Sequence, residues 1–131
     1  MPGYLALDWG QKRVGIATMD PLGLAITVHK AVHRNASFQD RWQWRQEDQD
    51  WLQSLVDSYE PECLVLGLPL SASGEAAQSA RALGQKLESQ FMIPVRYIDE
   101  TLSSWESKGD DSKAAALLLE GLQLEIQSSK K

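Results

Sequence analysis

The sequence is poor in several features that mark specialised classes of protein. Its 131 residues include one cysteine, Cys63, which excludes an intramolecular disulfide framework and a cysteine-based zinc cluster. No apolar run approaches the roughly 20 residues that cross a bilayer. The first residues also lack the basic-then-apolar order of a signal peptide. These absences predict a reduced, cytoplasmic setting with no membrane partner.

Positive charge is also scarce. Thirteen Lys and Arg residues stand against 18 Asp and Glu residues, a formal net charge of −5. This balance excludes a protein that coats nucleic acid through bulk positive charge. The charge is uneven, however, because residues 1–46 carry a net +3 and residues 47–131 a net −8. A locally basic surface can therefore exist on an acidic protein.

The remaining composition is that of an ordinary globular chain, with 43% hydrophobic and 24% charged residues in a length that suits one domain. We predict a single domain over residues 1–131, with a frayed tail at 127–131. Hydrophobic periodicity predicts the element order βββαβαβα. The expected strands lie near 4–7, 13–18, 24–32, 63–67 and 94–98, and the expected helices near 37–59, 75–91 and 114–126.

This element order predicts an α/β fold in which helices flank a five-stranded mixed sheet. The first three strands are expected to form an antiparallel meander. Right-handed crossovers then make the first, fourth and fifth strands parallel neighbours. Ligands of such sheets bind at the carboxyl ends of the parallel strands, which fall here at Asp8, residues 67–69 and Asp99-Glu100.

Acidic residues occupy these strand ends and the start of the last helix. Asp8 follows the first strand, Glu100 follows the fifth, and Asp110 or Asp111 opens the helix. Converging carboxylates repel one another unless a cation lies between them, and Mg²⁺ or Mn²⁺ prefers such oxygen ligands. Ions held in this way activate water for attack on a phosphodiester. Each acid alone is also a common turn former or helix cap, so the nuclease hypothesis depends on their convergence.

Four segments in order along the chain resemble the YqgF family of RNase H-like proteins. They are LDWGQKRVGIA at residues 7–17, VLGLPL at 65–70, DETLSS at 99–104 and DSKAAAL at 111–117. The resemblance spans nearly the whole chain. It implies an RNase H-like fold and a metal-dependent nuclease that acts in pre-16S rRNA 5′-end processing or in Holliday junction resolution.

The resemblance also implies roles for individual residues. Asp8, Glu100 and Asp111 would be the catalytic acids that bind Mg²⁺ or Mn²⁺, and the alanine-rich register favours Asp111 over Asp110. Lys12 and Arg13 would contact phosphates of structured RNA or branched DNA, although they could equally be a solvated hairpin pair. The site-shaping residues would be Gly10, Gly67 and Pro69. For Gly67 and Pro69, a turn that serves backbone geometry alone is the alternative.

Arginines and aromatic residues alternate between Phe38 and Arg45. Bases could stack there while Arg41 and Arg45 bind phosphates. The alternative is structural, because Trp44 and Trp51 are seven residues apart and would face the core from a single helix.

Two departures from the family pattern concern the grip on substrate. Thr101 stands where the family usually has Arg, and only eleven positions separate Glu100 from Asp111, fewer than in the family. Both predict weakened substrate binding, and they leave open an inactive member that acts as a nucleic-acid-binding or interaction protein. An actin-like ATPase is a further alternative for the Asp8-to-Gly15 motif, but it would need two such domains. A monomer would suit RNA trimming and a homodimer two symmetric junction cuts.

Overall fold

Three strands come first along the chain, and helices and strands alternate after them. The elements are β1 (Tyr4–Trp9), β2 (Arg13–Met19), β3 (Ile26–His33), α1 (Gln46–Tyr59), β4 (Cys63–Leu68), α2 (Gly74–Phe91), β5 (Val95–Asp99) and α3 (Asp111–Ser129). This order is that of a computed structural model, which describes residues 3–10, 12–34, 36–37, 42–68, 74–99 and 111–129. The predicted α/β class and the predicted element order are confirmed. Among the described residues, none of the helices combines the length and apolar character needed to span a bilayer.

The five strands form one mixed sheet in the order β3-β2-β1-β4-β5. The first three strands form the predicted antiparallel meander, and β1, β4 and β5 are the predicted parallel neighbours. Leu7 lies opposite Leu66 of β4, and Gly67 lies opposite Ile98 of β5. The carboxyl ends of the three parallel strands therefore lie side by side at one edge of the sheet.

One face of the sheet packs against α1 and α2 through large side chains. Alternate residues of each strand point to this face, and the helices contribute Leu52, Leu83 and Leu87. The strands contribute Leu5, Leu7, Trp9, Val14, Ile16, Leu64 and Leu66. All of these side chains are at most 3% exposed. Burial of each large side chain stabilises the fold by about 1.5–3 kcal/mol.

The other face packs against α3 and is built from smaller residues. Ala6, Ala17 and Val65 lie beneath the helix and are fully buried. The helix answers with Ala115, Leu118, Leu119 and Leu122. Small residues on the sheet let the helix lie close to the strands, and Gly121 continues this approach because a Cβ there would lie 3.3 Å from the Ile98 side chain.

The first helix begins later than the sequence predicted. The helical spacing of the tryptophans and a possible cap at Ser37 indicated a start at residue 37, but α1 begins at Gln46. Arg45 has an extended backbone, and its N–H donates to the Asp48 carboxylate at 3.2 Å, which caps the helix there. Trp44 precedes the helix and packs against Phe91 instead, with ring centroids 5.7 Å apart.

The third strand also begins later than predicted, at Ile26 rather than at residue 24. The carboxylate of Asp20 accepts backbone N–H groups from Leu22, Leu24 and Ala25, which holds the chain in a loop. These hydrogen bonds, that from Ala25 above all, lower the pKa of Asp20 below its usual value.

The last helix extends beyond its predicted end at residue 126, and the frayed tail predicted at 127–131 stays a prediction. Helix α3 continues through Ser129, because no Gly or Pro follows Ile126 to end it. Residues 130 and 131 lie outside the described part of the chain. So does the polar stretch from Glu100 to Asp110, which includes Thr101.

Candidate nuclease site

Asp8 lies near the carboxyl end of β1, on the face of the sheet that packs against α3. Tyr4 and Ala6 belong to the core on this face, and alternation along the strand places Asp8 on the same side. Its side chain is partly exposed. Its antiparallel partner on β2 is Gly15, which is buried and has no side chain. Gly15 therefore presents no side chain beside the Asp8 carboxylate, and the sequence had given Gly15 no role in the site.

The ends of β4 and β5 lie level with Asp8. Because Leu7 pairs with Leu66, the next step of the register brings Asp8 level with Gly67, which itself pairs with Ile98. Ile98 belongs to the core on the α3 face. Glu100 follows β5 by one residue but lies outside the described residues, as does Pro69 after β4. The structure thus brings Asp8 and the last residues of β4 and β5 to one edge.

The carboxyl-terminal part of helix α3 reaches the opposite end of the sheet. Near its carboxyl end, Gln123 donates to the carbonyl of Gly23 at 2.7 Å, in the turn beyond the opposite edge of the sheet. The helix rises about 16 Å from Ala115 to Ile126, and β1 advances about 13 Å from Tyr4 to Asp8. The helix is therefore long enough to extend from that turn to the level of Asp8. Asp111 is the first residue of α3.

The three predicted metal ligands are therefore described to different extents. The side chain of Asp8 is described, only the backbone of Asp111 is described, and Glu100 is not described at all. Within the described ranges, no group of three His, Cys, Asp or Glu residues could hold a metal ion. The assignment of Asp8, Glu100 and Asp111 as one metal site stays a prediction, as does the choice between Asp110 and Asp111.

The predicted phosphate-binding residues of the β1–β2 hairpin are exposed beside Asp8. Lys12 lies in the turn and Arg13 begins β2. Because Arg13 precedes Gly15 by two residues, it lies on the same face of the sheet as Asp8. His33, which is also exposed, is its partner on β3. This arrangement places positive charge at the rim of the acidic edge.

Gly10 keeps the hairpin turn tight. A Cβ at this position would lie 2.6 Å from the carbonyl oxygen of Arg13, closer than real Cβ atoms approach backbone. Any side chain would therefore push apart the two strands that carry Asp8 and Arg13. The role of Gly67 and Pro69 in shaping the site stays a prediction.

Of the two arginines predicted to bind phosphates in the aromatic segment, the structure describes only Arg45. Arg41 lies outside the described residues. Arg45 is 27% exposed at its side chain and pairs with Asp48 at 3.3 Å. Trp44 and Trp51 both pack against the core on the α1 and α2 face, in agreement with the structural alternative for these aromatics. Phosphate binding by Arg41 and Arg45 stays a prediction.

A buried ion pair that the sequence did not reveal lies behind the hairpin. The side chain of Arg34 is fully buried and forms a two-pronged pair with Asp48, at 3.1 Å from Nε and 3.0 Å from Nη2. Its Nη1 donates to the carbonyl of Gly10 at 2.7 Å, and Nη2 also donates to the carbonyl of Gln43 at 2.8 Å. The guanidinium also stacks on Trp9, 4.6 Å from the ring centroid.

Asp48 is held in its charged form by this network. Burial alone would raise the pKa of Asp48, but hydrogen bonds from Arg34, from the Arg45 N–H and from the Trp51 indole, with the charge of Arg34, lower it overall. The pair joins residues 14 positions apart on different elements. No local spacing signals such a pair, so hydrophobic periodicity could not reveal this buried arginine.

The two histidines and the cysteine remain outside the candidate site. His29 hydrogen-bonds to Thr18 Oγ1 at 2.7 Å and to the Tyr59 hydroxyl at 3.3 Å, and burial lowers its pKa. Cys63 is 7% exposed, and burial raises the pKa of its thiol, which makes it unreactive.

Comparison with known proteins identifies the family. Residues 3–122 match the family model RuvX, described as Holliday junction resolvase. A protein of Parasynechococcus marenigrum named "Putative pre-16S rRNA nuclease" is 39% identical over 130 residues, covering 88% of this chain and 78% of the relative. A protein of the same name from Dictyoglomus thermophilum is 33% identical and covers 93% of this chain and 88% of its own length.

Solved structures agree in fold. Thermus thermophilus RuvC in complex with a Holliday junction substrate superposes with a TM-score of 0.65 at 9% identity, covering 99% of this chain and 96% of RuvC. A second Thermus thermophilus RuvC structure gives a TM-score of 0.59 at 10% identity, with 96% of each chain covered. These matches confirm the RNase H-like fold that the sequence predicted. The chain therefore belongs to the RuvX family, a nuclease family of RuvC-like fold.

Proposed function

We propose that this protein is a metal-dependent nuclease that hydrolyses phosphodiesters in structured nucleic acid, with the 5′ end of pre-16S rRNA as its substrate. One observation carries the proposal. Asp8 lies on the α3 face of the sheet, opposite the side-chain-free Gly15 and level with the ends of β4 and β5. Asp8 thus lies at the carboxyl ends of the parallel strands, where such sheets bind their ligands.

The metal would be Mg²⁺ or Mn²⁺, held by Asp8, Glu100 and Asp111. Asp8 supplies the hard oxygen ligand that these ions prefer. Alternation along β5 would bring Glu100 to the face that Ile98 occupies. Asp111 begins α3, whose carboxyl end lies at the opposite end of the sheet, and this direction would bring Asp111 toward the same edge as Asp8. When bound, the ion supplies activation of a water nucleophile and neutralisation of charge at the phosphodiester.

The hairpin residues would bind and orient the substrate. Lys12 and Arg13 are exposed beside Asp8 and would contact phosphates on either side of the bond to be cut. Gly10 keeps these residues close to Asp8 by holding the turn tight. This basic rim lies within the segment 1–46, whose net charge is +3. The overall charge of −5 is therefore compatible with a nuclease that binds nucleic acid at one basic rim.

The choice of substrate follows from the relatives. The curated relatives at 33–39% identity carry a name that specifies pre-16S rRNA, whereas likeness to RuvC, at 9% identity, bears on the fold alone. We therefore place RNA trimming by a monomer in the cytoplasm ahead of junction cleavage by a homodimer. Arg41 and Arg45 would extend the nucleic-acid surface from the hairpin.

A cleavage assay tests this proposal. A pre-16S rRNA fragment with its 5′ extension and a synthetic four-way DNA junction are each incubated with the protein and Mg²⁺. We expect the RNA to be cut, and we expect Asp8→Asn to lower the rate at least about a thousandfold, because several kcal/mol of transition-state stabilisation depend on the metal. Asp57→Asn, which removes an exposed carboxylate of α1, is the matched control and should cut like the wild type.

Metal binding is measured separately by isothermal titration with Mn²⁺. The wild type and Asp57→Asn should give the same heats, and Asp8→Asn should give little or none. Equal heats from all three proteins would end the metal assignment. Binding of RNA without cleavage, and with no effect of metal, would instead identify a family member that binds nucleic acid without cutting it.

A further inference from the structure

We propose that Arg34 is a positioning residue of the nuclease site, which fixes the backbone that follows Asp8 and so sets the geometry of metal binding. This inference rests on the proposed function. Arg34 touches neither substrate nor metal in this scheme. It acts through the hairpin turn, where its guanidinium binds the carbonyl of Gly10 at 2.7 Å and its own backbone N–H binds the carbonyl of Lys12 at 2.7 Å.

These two hydrogen bonds fix the turn on both sides, at Gly10 and at Lys12. Gly10 follows Asp8 by two residues, and Lys12 is the exposed residue proposed to meet phosphate. The guanidinium also lies over the ring of Trp9, 4.6 Å from its centroid. Trp9 is 3% exposed and packs against Trp51, with ring centroids 5.7 Å apart. The residue that follows Asp8 is therefore anchored through its side chain, and the next one through its carbonyl.

The guanidinium of Arg34 is also bound by residues outside the turn. Both oxygens of Asp48 accept from it, and the carbonyl of Gln43 accepts from Nη2. These partners belong to α1 and to the chain just before it, so Arg34 ties the hairpin to a helix on the opposite face of the sheet. A planar fork with several fixed donors suits this task, and the single ammonium of lysine does not reproduce it.

A buried charge pair of this kind is not needed for stability alone, because well-packed apolar residues often do as well or better. Two of the donors of Arg34 instead bind carbonyls of one turn, at Gly10 and Lys12, and that turn follows the proposed ligand Asp8 and carries a proposed phosphate contact. The geometry thus points to an effect on the site: loosening the turn should weaken metal binding and slow the chemical step more than it weakens substrate binding.

The test compares Arg34→Lys with Leu87→Ala, a core variant in α2 that is chosen to lose a similar amount of stability and lies outside the proposed site. Mn²⁺ affinity is read from paramagnetic broadening of the amide signals of Gly10 and Lys12, in folded protein at a temperature well below both transitions. We expect Arg34→Lys to weaken Mn²⁺ binding about tenfold, the lower end of the range for residues that support metal ligands. Leu87→Ala should bind as the wild type does.

Kinetics give a second measurement on the same proteins. Arg34→Lys should lower kcat at saturating Mg²⁺ with little change in KM for RNA, whereas a purely structural role would leave kcat per folded molecule unchanged, as in Leu87→Ala. If Arg34→Lys does not fold, Asp48→Glu takes its place. This variant keeps both charges but displaces the fork by one methylene, and it should weaken Mn²⁺ binding severalfold.

The outcomes separate the two proposals. A wild type that binds no Mn²⁺ overturns the proposed function, and the role of Arg34 with it. A wild type that binds Mn²⁺, with an Arg34→Lys variant that binds and cuts like Leu87→Ala, overturns the role of Arg34 alone. Weakened Mn²⁺ binding together with lowered kcat in Arg34→Lys, but not in Leu87→Ala, supports it.

Discussion

The two faces of the sheet differ in the size of their side chains and in what they do for the site. The face toward α1 and α2 is packed with leucines and tryptophans, and the buried Arg34–Asp48 pair lies on that side of the hairpin. The face toward α3 is lined with alanine and valine, so the helix lies close, and Asp8 is on this side. We call the face toward α3 the thin face and the face toward α1 and α2 the thick face. The proposed ligand Asp8 lies on the thin face, whereas the residues that anchor the turn after it belong to the thick face.

The largest expected effect comes from the charged pair on the thick face. Asp48→Asn leaves the buried Arg34 guanidinium without its countercharge, and we expect a loss of about 3–5 kcal/mol in the free energy of unfolding at pH 7. Chemical denaturation monitored by tryptophan fluorescence measures it. A loss below about 1 kcal/mol would show that the pair is dispensable to the thick face.

The same pair gives the wild type a specific dependence on pH. The folded protein lowers the pKa of Asp48 below its ordinary value of 3.8. The stability contributed by this shift is therefore present above that value and is lost as the pH falls through the lower, folded pKa. The free energy of unfolding should fall more steeply below about pH 4 in the wild type than in Asp48→Asn. Parallel pH profiles would contradict a charged Asp48 in the folded state.

A cavity on the thick face should cost nearly as much. Leu52 is fully buried in α1, and Leu52→Ala removes three carbon atoms from a core of large side chains that cannot close around the gap. We expect a loss of about 2–5 kcal/mol by chemical denaturation. Because Leu52 lies away from the Asp8 face, Mn²⁺ affinity measured in folded protein should stay unchanged. A large loss of affinity would show that the two faces are not separable.

The sequence predicted the thick face better than it predicted what anchors the hairpin. The strand order and the parallel neighbours followed from the periodicity of apolar residues, because burial imposes that periodicity on each element by itself. The start of α1 did not follow, since the carboxylate of Asp48 caps the chain at Arg45 and no apolar spacing records a cap. The role of Arg34 was equally hidden, because its partners, Gly10, Gln43 and Asp48, come from three places along the chain.

Overpacking probes the thin face. Ala17 is fully buried beneath α3, and Ala17→Leu would push the helix away from the strands. We expect a loss of about 1–3 kcal/mol. Because the first turn of α3 is proposed to deliver Asp111 beside Asp8, this variant should also weaken Mn²⁺ binding, in contrast to Leu52→Ala. Titration calorimetry on both variants tests that contrast, and equal affinities would mean that α3 does not take part in the metal site.

The smallest expected effect lies on the outer surface of the same helix. Arg96 of β5 and Glu125 of α3 form an ion pair at 3.3 Å, but their side chains are 47% and 57% exposed. Water screens such a pair, so Glu125→Gln should change the free energy of unfolding by less than about 1 kcal/mol. The apolar contacts of Leu118, Leu119 and Leu122 would then account for the attachment of α3. A larger difference in thermal stability between the wild type and Glu125→Gln, removed by high salt, would instead show that the attachment of α3 depends on charge. The thin face would then depend on charge, whereas the thick face depends on the volume of its side chains.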